Sequence, residues 1–215
     1  MSLAFSPVLL YSLWVNAVVG LTMGSALLWV WRGHRTQLFT RDLGAAQLVQ
    51  SLVPVGYLMS QWVGGEWKLP GMVLAVFGQI GSIALMLRGS SRLSGWVFSR
   101  LEWTVFLGLL VVAGLWVLLF NDPSVAVWAS PFLMTLAGLV VTRGLRGGLL
   151  ADRLVGPLLV LLGLNQLCFA VWGQAGLVFQ SNAGAVLRLL LGLMLVYATL
   201  DRTMLESDNL RERFQ

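Results

Sequence analysis

One cysteine and one histidine stand among the 215 residues, and charged side chains make up only 11% of them. Cys168 has no second cysteine to pair with, so no internal disulfide forms. His34 and Cys168 together are too few for a zinc site or a bis-histidine haem, so neither metal nor cofactor is expected. Carboxylates number nine, and no two of them share a plausible depth. The HExxH helix, the phosphate-binding Walker loop and the nucleophile elbow are all missing. No catalytic residue is therefore expected within 1–215, whatever cyclase, phosphodiesterase or kinase domain a longer polypeptide would add. Midplane acids and paired broken helices are also lacking, which argues against an ion-coupled carrier. A simple facilitator stays open.

Apolar residues fill the space that charge leaves. They make up 58% of the chain, and mean hydropathy is +0.82. A soluble domain of this size needs far more polar surface. Seven apolar runs follow one another, at 8–31, 42–63, 69–87, 101–120, 123–142, 153–172 and 180–200. Each is long enough as a helix to cross ~30 Å of hydrocarbon at ~1.5 Å per residue. The first is too long for a cleaved signal peptide and lacks its basic n-region, so it reads as a retained span. Glycine, proline and charge mark the cuts in "VGGEWKLPG" (63–71), "FNDPS" (120–124) and "RGLRGG" (143–148).

Arginine sets the orientation. Arg32, Arg35 and Arg41 follow the first run, and Arg88, Arg92 and Arg100 the third. Arg143, Arg146 and Arg153 follow the fifth, and Arg202, Arg211 and Arg213 the seventh. The loops on the other side hold only Lys68. By the positive-inside rule the chain is all-α and polytopic, with seven transmembrane helices, the N-terminus outside and the C-terminus cytoplasmic. The net charge of +5 thus reflects topology, and no nucleic-acid partner is expected. The ten tryptophans fall near span ends, as in an interfacial belt.

Arg188 is the one charge placed well inside a span. Ser181, Ala185, Arg188, Gly192 and Thr199 fall on one stripe at 100° per residue, which predicts an inward-facing arginine. Its expected partners are the neutral amides Gln79, Asn165, Gln166 and Gln61. They would form a polar core of the bundle or a ligand site, the ligand being an unknown small molecule or lipid. In the second run Gly44, Gln47, Ser51 and Pro54 share a face that reads as packing before cavity, with Gln50 to its side. Gly71, Ala75, Gly78 and Ser82 form a small-residue stripe in the third, and "GLTMG" (20–24) offers a weak dimerisation motif.

The chain ends in "YATLDRTMLESDNLRERFQ" (197–215), where Leu200, Thr203, Ser207, Leu210 and Phe214 recur at alternating spacings of 3 and 4. That is a short heptad seam among mixed charges, suited to signal transmission. Residues 1–200 thus form the membrane domain, and 201–215 the start of a connector helix whose charged end predicts a continuation beyond Gln215.

Three stretches carry a family resemblance: "WRGHRTQLFTRDLGAAQLVQSLVPVGYLM" (31–59), "ALMLRGSSRLSG" (84–95) and "RLLLGLMLVYATLDRTMLESDNLRERFQ" (188–215). They resemble the basic first inner loop, the Leu-Arg-Gly end of span three and the last span of a known family. This is the seven-helix membrane input region ahead of PAS, GGDEF and EAL modules in bacterial signalling proteins. Input regions of histidine kinases look much alike. The resemblance implies a multi-pass protein of the bacterial inner membrane that senses an extracytoplasmic or intramembrane signal. It further implies a homodimer and an output domain acting in cyclic-di-GMP turnover or kinase signalling. A small transporter and an accessory membrane subunit are the alternatives.

Overall fold

The computed structural model describes residues 7–63, 65–95, 99–120 and 124–213. Those residues form seven α-helices and no strand: α1 (Pro7–Gly33), α2 (Leu38–Gln50), α3 (Leu52–Leu58), α4 (Lys68–Ser94), α5 (Arg100–Phe120), α6 (Ser124–Gly144) and α7 (Leu150–Arg213). A π-helical turn, Met59–Val63, prolongs α3, and a short 3-10 turn, Gly65–Trp67, leads into α4. Four stretches among the described residues are long and apolar enough to cross a membrane: Pro7–Gly33, Gly65–Ser94, Leu150–Gly173 and Gly176–Leu205.

The run expected as one span over 42–63 is broken at Ser51. Pro54 explains the break. It has no N–H for the Gln50 carbonyl, and its ring crowds that carbonyl. The Ser51 hydroxyl instead bonds the Leu48 carbonyl at 2.6 Å. The opposite surprise is α7, which combines the sixth and seventh runs. Gly173 interrupts it at φ 58° and ψ −131°, a conformation open essentially to glycine alone. The two limbs fold back on each other. Asn165 donates to the Gln180 carbonyl at 2.9 Å, and Arg202 pairs with Asp152 at 3.1 Å. The second limb runs on to Arg213 with no loop after 200, where the apolar run ends.

Successive segments alternate in direction. α1 and α2 cross at glycines, where a Cβ on Gly24 would meet the Gly44 carbonyl oxygen at 2.9 Å. The GLTMG motif, read as a dimerisation signal, is thus spent on a contact within the chain. Gly44, Gln47 and Ser51 are buried on this same packing face. The small-residue stripe of α4 admits α3 in the same way, with Gly71 against Gly56 and Ser60. α6 meets the first limb of α7 where Thr142 abuts Gly156 and Thr135 abuts Gly163. α1 lies beside the second limb, Met23 against Gly192. One cluster of buried residues joins these pieces, including Leu27, Leu43, Met86, Val141, Leu159, Leu191 and Leu195. Among the described residues α5 packs on α4 and α6 alone, and it exposes Leu101, Val111, Val112, Leu119 and Phe120. Gly95, at φ 72°, ends α4 in a left-handed turn.

Candidate functional site

A cavity of about 130 Å³ opens between the helices, and among the described residues every α-helix except α5 contributes to its wall. α1 supplies Leu13 and Asn16, α2 supplies Gln50, and α3 supplies Val53, Pro54 and Tyr57. α4 gives Ala75, Val76 and Gln79, and α6 gives Ser130. The two limbs of α7 give Gln166, Phe169, Leu177, Gln180, Ser181 and Arg188. Gln50, the last residue of α2, lies beside the break at Ser51 and lines the cavity.

A relay of neutral groups crosses the bundle along one wall. Gln50 Nε2 donates to Gln79 Oε1 at 3.0 Å. Gln79 Nε2 donates in turn to the Ser130 hydroxyl, and that hydroxyl donates to Gln166 Oε1. Ser82 Oγ meets Gln50 Oε1 at the far end. Three helices and the first limb of α7 are joined without a single charge. Such a relay is favourable when all its members are satisfied, since an unpaired polar group at this depth costs ~1–3 kcal/mol.

Arg188 stands apart from the relay. It is 9% exposed, and Ser181, Ala185, Gly192 and Thr199 of the same stripe are buried too. Its Nη1 donates to Asn16 Oδ1 at 2.7 Å. Among the described residues no carboxylate lies within ion-pair distance of it. Sequence placed Gln79 and Gln166 near Arg188, and all three do line one cavity. The expected bonds to them do not form. Asn16 takes that role because α1 runs beside the second limb of α7 at this level. Asn165 turns to the Gln180 carbonyl and is absent from the cavity wall. The side chain of Gln61 lies outside the described residues. Asn16, Gln50 and Ser130 were not singled out for this role, although each is a polar residue in an apolar helix.

A second polar cluster lies toward the arginine-rich loops. Asp42, its side chain 3% exposed, meets Arg41 at 2.9 Å, Arg88 at 3.5 Å and Arg92. Close by, the hydroxyls of Thr40 and Thr199 share a fully buried hydrogen bond of 2.9 Å. Arg202 pairs with Asp152 and lies over the Phe39 ring at 5.0 Å. The start of the tail is therefore fastened to α2 and to the first limb of α7. Of the expected transmission seam, Leu200 and Ser207 are exposed, and the Thr203 hydroxyl bonds the Thr199 carbonyl at 2.9 Å. The side chain of Leu210, and Phe214 as a whole, lie outside the described residues. No group of histidine, cysteine and carboxylate residues among the described residues could hold a metal.

The fold and the site define an all-α protein with four stretches, among the described residues, long and apolar enough to cross a membrane, and a cavity lined by both polar and apolar side chains. Comparison of the chain with family models, curated proteins and solved structures gives no match.

Proposed function

We propose that this chain is a membrane-embedded sensory input module with seven spans, its N-terminus outside and its C-terminus in the cytoplasm. A signal in the cavity biases the second limb of α7, and the tail passes that bias to cytoplasmic output domains. One observation carries the reading. A single helical limb bears Arg188 in the cavity wall, Thr199 and Arg202 in the second cluster, and then the charged tail to Arg213. Arg188 and Arg202 are about 21 Å apart at ~1.5 Å per residue. A rigid element held at both ends links two sites, as a two-state transmitter requires.

The arginine asymmetry and the alternation of helix direction support the span count and orientation. The family resemblance supports a bacterial inner-membrane location, a homodimer and an output domain of the cyclic-di-GMP or kinase class. In a chimera with a diguanylate cyclase domain, alanines are inserted one to four at a time after Asp208. Output should vary with a period of ~3.6 residues, because each insertion rotates the output domain by ~100°. Cyclase activity that stays flat across all four insertions would sink the reading.

A further inference from the structure

We propose that the cavity is a binding site for a small, water-soluble monocarboxylate held by Arg188. As the stimulus of the input module the ligand rests on the reading above, but its chemistry rests on the cavity alone.

Charge comes first. An arginine keeps its proton under all ordinary conditions and has five N–H donors. Asn16 is its hydrogen-bond partner among the described residues, and an amide brings no negative charge. The other polar groups around the cavity are amides, the hydroxyls of Ser130 and Ser181, and the phenol of Tyr57. The wall therefore carries one positive charge among its described residues. One bound anion of charge −1 balances it, and a carboxylate matches a guanidinium edge with two parallel hydrogen bonds. A phosphate group, nearer −2, would leave an excess buried charge.

Size and shape come next. Engineered cavities of about 150 Å³ take up benzene, so about 130 Å³ admits roughly six non-hydrogen atoms. Leu13, Val53, Val76, Phe169 and Leu177 form apolar wall, which suits a short hydrocarbon tail. A carboxylate could also come from a membrane fatty acid whose tail leaves through the opening; we commit to the short acid, which a cavity of this volume holds whole.

The full chain in phosphatidylcholine nanodiscs tests this by thermal shift and calorimetry. Propionate should stabilise it, while propionamide and inorganic phosphate should not. Arg188→Met should weaken propionate binding at least tenfold. Asn16→Asp keeps the side-chain shape and places a fixed carboxylate beside Arg188, so it should also abolish binding. That variant keeps the test decisive if Arg188→Met fails to fold. Propionamide or phosphate binding as well as propionate would overturn the proposal. So would unaltered binding in Asn16→Asp, or no stabilisation by any short acid. Tighter binding of laurate than of propionate would overturn the short ligand and assign the site to a fatty acid. Propionate binding without any change in chimera output would defeat the sensor reading and leave the ligand class standing. Output driven only by a stimulus that does not bind here would defeat the ligand's role as the stimulus and nothing else.

Discussion

Asp42 and Arg188 are both buried ions, yet Asp42 meets three guanidinium groups while Arg188 meets an amide. At Asp42 the attraction is local and complete, with half-exposed arginines screening the rest. At Arg188 the charge is withdrawn from water with only partial compensation. A compensated ion holds structure, and removing it leaves its partners stranded. An uncompensated ion costs stability in the empty protein, which makes sense only where something else completes it. The contrast sets the fastening at Asp42 against the ligand site proposed at Arg188.

Three measurements would break that contrast or sharpen it. The largest effect belongs to Asp42→Ala, which leaves Arg41, Arg88 and Arg92 clustered with no acid. Equilibrium unfolding in mixed micelles should show a loss of about 3 kcal/mol, the lower end of the range for breaking a buried pair. Arg188→Met should move the other way, by about 2 kcal/mol of added stability, since a central arginine costs roughly 2.5–3.5 kcal/mol on insertion scales. If the two substitutions shift unfolding in the same direction, the distinction between the clusters fails. The smallest effect is at Thr40 and Thr199. Thr199→Val should cost about 1 kcal/mol, because it leaves the buried Thr40 hydroxyl without its partner, whereas Thr40→Val should cost less, because Thr199 still donates to the Leu195 carbonyl; the double variant should recover most of the Thr199→Val loss. A strictly additive double variant would mean that their 2.9 Å hydrogen bond does not couple α2 to the tail.

Much of the scaffold was legible in the sequence, because hydrophobic length and helical period are local properties. The runs at 8–31 and 69–87 lie within helices, and the inward turn of Arg188 followed from 100° spacing alone. The break at Ser51 had its cause in view at Pro54, although a proline sets a kink without saying where the chain goes next. Pairings were harder. Asn16 and Arg188 are 172 residues apart, and nothing in either segment encodes that α1 lies beside the second limb of α7. Asp42 sits in a basic stretch where counting arginines hides the one acid they surround. Gln50 was set beside a polar face, and its bond to Gln79 depends on a pairing with α4 that neither segment encodes.

Gly173 carries a consequence for membrane sidedness. A straight helix from Leu150 to Arg213 has 64 residues and would reach about 96 Å at ~1.5 Å per residue, three times the ~30 Å of a hydrocarbon core. One left-handed residue instead turns that length into a hairpin, so the tail leaves by the face at which Leu150 entered. The parity of the whole chain, and with it the compartment that receives the tail, hangs on a position too small to carry a side chain.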